Sequence, residues 1–146
     1  MDHGTWIMEH SRSETSMPTI VSMNTSTTKA VELQQRFILF AADIIALSEK
    51  LPNSRQGRHI CGQMLRSGTA TAANYAEARG AESRSDFVHK LGIVLKELNE
   101  TAIWLELIVR RALLGAEKVA PVVAENRELC RIITASIKTT RGSIDR

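Results

Sequence analysis

Residues 83–112 read SRSDFVHKLGIVLKELNETAIWLELIVRRA. Within them Phe87, Leu91, Val94, Leu98, Thr101, Leu105, Ile108 and Ala112 recur at alternating steps of four and three. An α-helix turns about 100° per residue, so this series keeps to one helical face, whereas a strand would alternate by two. Val88, Leu95, Ala102 and Val109 form a second apolar row beside the first. A face that broad exceeds what one partner helix covers, which predicts a helix that is central or also buried between subunits. Ser83 with Asp86 three residues on resembles a capping box with Asp in the Glu place and marks the start. Gly115 marks the expected end.

Outward from this helix the same arithmetic yields three more. Phe37, Ala41, Ile44, Ser48 and Leu51 keep the helical spacing, widened by Phe40 and Ile45, and predict a helix from about Thr28 to Lys50. Pro52-Asn53-Ser54 stops it, because the residue before a proline is driven out of the helical region. A second helix is expected from Ser54 to Arg79, with Gly80 as its cap. Its middle, Ser67 to Ala78, is built mostly of small residues, which lets a neighbouring helix approach near the low end of the ~8–10 Å interaxial range. Pro121 suits the first turn of a fourth helix reaching about Thr140, with Gly142 after it. Four helices joined by short turns predict an all-α, up-down-up-down antiparallel four-helix bundle.

The chain has 146 residues, 19 Lys+Arg and 16 Asp+Glu, a net charge of +3. The length suits one domain with a single core. Residues 1–27 are Ser-, Thr- and Met-rich without sustained apolar periodicity and are expected to be a disordered tail, leaving 28–146 as the bundle domain. Met8, Met17 and Met23 within it read as possible alternative starts. The tail holds Arg12 against Asp2, Glu9 and Glu14, so the remainder carries 18 basic and 13 acidic residues, a net of +5. No apolar run approaches the roughly 18 residues of a membrane span, and no secretory signal pattern opens the chain. Two cysteines, Cys61 and Cys130, fit buried free thiols in a reducing compartment. The expected location is cytoplasmic.

Catalytic and metal chemistry find little support. A ferritin-like site needs two Glu-x-x-His steps, and the chain offers one distant relative, Asp86-x-x-His89. His59-x-Cys61 lacks a second half for zinc. Gly-x-Ser-x-Gly, phosphate-loop and dinucleotide patterns are absent from the sequence. Glu97 and Glu100 invite reading as paired carboxylates. The simpler reading is a solvated face laced by Asp86–Lys90, Glu106–Arg110 and Lys96–Glu100 ion pairs. The expectation is a protein without catalytic residues, metal or cofactor. Asn74 and Glu77, set in the small-residue stretch, read as polar contacts between helices or subunits.

The fourth helix carries the strongest functional signal. Arg127, Arg131, Lys138 and Arg141 share an arc of about 80° with Thr134 over roughly 21 Å, and no acid falls within that arc. Leu129, Ile133 and Ser136 project to the opposite side. A cationic stripe of this length can follow a phosphate backbone. Cations in a last helical turn also favour the dipole, which accounts for Lys138 and Arg141 but not for Arg127 and Arg131. Arg66, Arg79 and Arg84 are further candidates around the turn between the second and third helices. Six aromatic side chains in all are too few for a stacking platform on single strands.

The segment from Ala73 to Phe87, continuing through His89 to Thr101 and Trp104 to Leu107, resembles a bacterial family. These are the small four helix bundle proteins, first found encoded within intervening sequences of 23S ribosomal RNA genes. The shared elements are Arg66-Ser67, the Asn74-x-x-Glu77 step, Ser83-x-x-Asp86-Phe87 and Lys96-Glu97, and the resemblance spans about residues 30–140. It implies a left-handed antiparallel bundle that assembles as a homopentamer, without catalytic residues. Asn74, Glu77, Phe87 and Trp104 are then structural or interface positions. A related branch of the family serves diversity-generating retroelements as an accessory that binds nucleic acid and a reverse transcriptase. The expectation is therefore an oligomer that binds RNA or DNA backbone; the alternative is an adaptor that docks a protein partner such as a reverse transcriptase.

Overall fold

The computed structural model describes residues 21–145, with side chains from Thr28 onward. Among them are four helices and no strand: α1 (Val21–Ser48), α2 (Arg55–Arg79), α3 (Arg84–Arg110) and α4 (Ala116–Ile144). The chain divides between Leu33 and Gln34 into two units. The first contributes the opening of α1, and the second, Gln34–Arg146, holds the packed core.

Neighbouring helices run antiparallel, because residue numbers rise along one as they fall along the next. On α1 and α2, Arg79 Nη1 donates to Gln34 Oε1, Phe37 stacks on Tyr75 at 5.0 Å between ring centroids, and the Cys61 thiol lies 3.8 Å from the Ser48 carbonyl. On α2 and α3, His59 lies edge-on to Trp104 at 6.0 Å between ring centroids, and further along α2 Ser67 shares a buried hydroxyl hydrogen bond of 2.8 Å with Thr101. On α3 and α4, Cys130 lies 3.8 Å from Asn99 Oδ1, and Arg84 donates to Ser143 Oγ at 2.7 Å. Arg36 on α1 makes a two-pronged bond to Glu125 on α4, at 2.7 and 2.8 Å, and so closes the bundle.

The helices follow the apolar stripes. Phe37, Phe40, Ile44 and Leu47 enter the core from α1, and Leu91, Val94, Leu98, Leu105 and Ile108 from α3. Side chains of this size each stabilise the fold by roughly 1.5–3 kcal/mol when fully buried. On α2 the buried face is Met64, Ser67, Gly68, Thr71, Tyr75 and Ala78, so the small residues do face a neighbour. Gly57, three residues into α2, faces the preceding loop: a Cβ there would stand 2.0 Å from the Pro52 carbonyl oxygen. Both expected starts are found. Ser54 Oγ accepts from Gly57 N–H at 3.1 Å and Ser83 Oγ from Asp86 N–H at 3.0 Å. Asp86 Oδ2 returns the bond to the N–H of Glu82, one residue before the cap.

The bounds and some burial differ from expectation. α1 begins at Val21, seven residues before Thr28. Extending an existing helix costs far less than nucleating one, and no Gly or Pro intervenes there. The expected tail otherwise falls on residues 1–20, outside the described residues. α3 stops at Arg110 instead of Gly115. There Ala112 takes φ 52°, its N–H bonds to the Val109 carbonyl, and that of Leu113 bonds to Ile108. This is a Schellman closure with alanine in the glycine place. Gly115 instead caps the start of α4, which puts Pro121 inside the helix, and α4 runs through Gly142 to Ile144. Ile45 is 45% exposed, Phe87 is half-buried, and Ala112 is exposed. Cys61 and Cys130 are half-buried free thiols. Among the described residues no helix is long and apolar enough to cross a membrane.

Candidate nucleic-acid interface

The core stripe of α4 is Val119, Val122, Asn126, Leu129, Ile133 and Ile137, all buried. Its anchoring turns the other side of the helix outward, and Arg127, Arg131, Thr134, Lys138 and Arg141 are all exposed there. Ser136 is half-buried and donates to the Ile132 carbonyl.

The stripe is less uniform in charge than its projection suggests. Arg131 donates through Nε and Nη2 to the carboxylate of Glu128, one turn back. Glu128 projects outside the arc, but a guanidinium on a three-carbon stem reaches it. That bond holds the Glu128 carboxyl below its usual range and raises Arg131. Arg127, Lys138 and Arg141 have no acidic partner among the described residues.

The secondary cations are occupied. Arg66 is bound to Glu100, Arg79 to Gln34 and Arg84 to Ser143. Each therefore links two helices of its own chain and does not join the α4 stripe. Of the anticipated surface pairs, Asp86–Lys90 forms at 3.2 Å and Glu106–Arg110 at 3.5 Å, whereas Glu100 turns to Arg66 and not to Lys96.

Glu77 is exposed and Asn74 half-buried, and neither side chain has a hydrogen-bond partner among the described residues. Within one chain, Ser67 and Thr101 make a buried polar contact between α2 and α3. Trp104 is half-buried, with its ring edge-on to His59 at 6.0 Å and its Nε1 buried without a partner. Glu97 Oε2 is likewise buried and unpartnered. No cluster of three or more His, Cys, Asp or Glu able to hold a metal occurs among the described residues.

Helical periodicity did not anticipate a cleft of about 390 Å³ between α3 and α4. It is lined by Ala102, Leu105, Val109, Val123, Asn126 and Cys130, with exposed Glu106 and Arg127 at its mouth. Asn126 is 2% exposed. Its Oδ1 lies 3.8 Å from the Cys130 thiol, whose pKa burial raises, while its Nδ2 has no acceptor. The available signal was a lone amide in the otherwise apolar stripe of α4.

Residues 29–135 match the family of the 23S rRNA-intervening sequence protein. The chain belongs to that family. Among solved structures it is similar to a protein of unknown function from the S23 ribosomal protein family of Bacteroides thetaiotaomicron. The two are 37% identical with a TM-score of 0.68, over 72% of this chain and 97% of that one. No curated protein matches. Within this member of the intervening-sequence protein family, Arg127 and Arg131 lie inside the matched region, while Lys138 and Arg141 lie beyond it.

Proposed function

We propose that this member of the 23S rRNA-intervening sequence protein family is a binding protein, not a catalyst. In this reading several copies, five by the family resemblance, assemble and hold the phosphate backbone of RNA or DNA with little sequence preference. The observation that carries the reading is the outer face of α4, where Arg127, Lys138 and Arg141 are exposed without acidic partners among the described residues. Phosphates attract such unpaired cations most, since binding releases condensed counterions without first breaking an ion pair. The family's link to a ribosomal RNA insertion makes RNA the first ligand to try, in a role as accessory to that insertion or to a retroelement.

Fluorescence anisotropy with a generic RNA oligonucleotide and a DNA duplex, at low and moderate salt, tests this. The expected result is affinity for both that falls steeply with salt, and that is lost on Arg127→Glu, Lys138→Glu and Arg141→Glu together. Binding that ignores salt, or survives the triple reversal, sinks the reading. The apolar cleft and the exposed Ile38 and Leu39 favour a second reading, an adaptor that docks a protein such as a reverse transcriptase. Absence of nucleic-acid binding at every salt concentration would leave that one standing.

A further inference from the structure

The cleft between α3 and α4 has apolar walls, set by Leu105, Val109 and Val123, and one buried polar group, the amide of Asn126. Its volume of about 390 Å³ suits a small ligand, and such pockets combine apolar walls with a few placed polar groups. Asn126 is 2% exposed, and the Cys130 thiol meets the oxygen end of its amide at 3.8 Å. The nitrogen end is left with no acceptor. Buried donors without a partner are rare in folded proteins, and an occupant of the cleft that brings an acceptor would satisfy this one.

The cleft borders the cationic stripe of α4. Measured from Arg127 at about 100° per residue, Val123 lies at about −40°, Cys130 at about −60° and Asn126 at about −100°. Lys138 and Arg141, without acidic partners among the described residues, lie at about +20° and about −40°. Arg131, which Glu128 holds, lies at about +40°, farthest from the cleft. Arg127 itself stands at the cleft mouth. Glu106, on the α3 side of the mouth, is paired with Arg110 at 3.5 Å, which offsets its repulsion of an anion.

A buried donor, apolar walls and a cation at the mouth together match the chemistry of a nucleotide. The flat faces of its base suit apolar walls, the carbonyl on the base edge accepts a hydrogen bond, and its phosphate is an anion. Proteins that receive an unstacked base hold it between apolar or aromatic side chains and bond its edge. An aliphatic side chain from a protein partner would fill the same walls but leave Asn126 Nδ2 without an acceptor and Arg127 without an anion.

We infer that the α3–α4 cleft takes one unpaired base of a bound RNA strand, a base with a carbonyl edge such as uracil. Asn126 Nδ2 donates to that carbonyl while Arg127 holds the phosphate of the same nucleotide. This rests on the proposed reading that the α4 cations hold a phosphate backbone. It makes the site favour single strands, because a duplex must first unpair and unstack the base.

Fluorescence anisotropy over a series of salt concentrations compares a dye-tagged oligouridine with an abasic strand of the same length, which keeps every phosphate and lacks every base. The full chain is expected to bind the oligouridine about tenfold tighter, through one buried hydrogen bond and the apolar walls together. The two salt slopes should agree, because the phosphates are alike. Ala102→Phe, at an exposed position on the cleft wall, should fill the cleft and bring the two affinities together. Circular dichroism checks that this variant folds, and Val123→Phe on α4 repeats the test from the opposite wall. Equal affinity of the wild type for both strands overturns the inference, spares backbone binding and leaves the cleft to a protein partner. A preference for oligouridine that survives in both folded variants places the base elsewhere and also overturns it. If neither strand binds at any salt concentration, the backbone reading fails as well.

Discussion

The side chain of Ile44 rests on the backbone of Gly68: a Cβ built on that glycine would stand 2.8 Å from Ile44 Cγ2 and 2.9 Å from Cγ1. Ile44 is fully buried and branches at Cβ, so these atoms cannot swing away like the end of a flexible chain. The contact lets α1 lie close on α2. Gly92, in α3, has no atom within 4 Å of its Cβ position.

Opposite outcomes follow for one substitution. Gly68→Ala should destabilise the protein by about 1–2 kcal/mol, overpacking of ~1–3 kcal/mol outweighing a helix-propensity gain of up to ~1 kcal/mol. Gly92→Ala should stabilise it by about 0.5–1 kcal/mol, because only the propensity gain remains. Urea denaturation of the two variants beside wild type measures both signs.

Ala112 adopts φ 52° in the Schellman closure of α3. Alanine in that left-handed conformation carries a cost of roughly 1 kcal/mol that glycine does not. Ala112→Gly should therefore raise the melting temperature despite removing a methyl group, and a lowered value would contradict the closure as the source of strain.

The Asp86 carboxylate accepts from the Glu82 N–H and pairs with Lys90, and these bonds hold its pKa below the ordinary value, the backbone bond foremost. A carboxyl whose folded pKa is depressed binds its proton more readily when unfolded. Its stabilising contribution is thus complete above about pH 5 and fades as pH falls from about 4 through the depressed pKa. The stability gap between wild type and Asp86→Asn should be widest near neutrality and close in acid. A gap constant from about pH 7 to about pH 3 would show that the asparagine acts through packing instead.

The α4 cations should differ in their worth to a phosphate ligand. Charge removal at Arg127, Lys138 or Arg141 is expected to lower the slope of log affinity against log salt by about 0.7–0.9 for each phosphate left unneutralised. Arg131→Gln should lower it less, since Glu128 already holds that guanidinium. Equal slopes for all four substitutions would mean that the Arg131–Glu128 pair opens freely on binding.

Fold class was legible because a stripe such as Leu91, Val94, Leu98 and Leu105 states its period directly, and each of these side chains is buried. Helix ends were less so. Ala112 takes the capping conformation although Gly115 stands three residues on, and Pro121 lies within α4 although proline favours a first turn. Local preferences, worth about 1 kcal/mol at Ala112 and about 3 kcal/mol at Pro121, yield where the packing of a long helix outweighs them. Exposure of the α4 cations was equally legible, since the opposite stripe anchors them outward.

By itself the sequence determined four helices, the inward faces of α1, α3 and α4 and the cationic face of α4, all properties of a residue's position along a regular helix. Tertiary structure alone decided which side chains meet across helices. It joined Arg66 to Glu100, Arg84 to Ser143 and Arg36 to Glu125, and it left Asn126 Nδ2 facing a cleft without an acceptor. Partner choice depends on distances of a few ångströms between residues far apart in the chain, and helical periodicity carries no record of them.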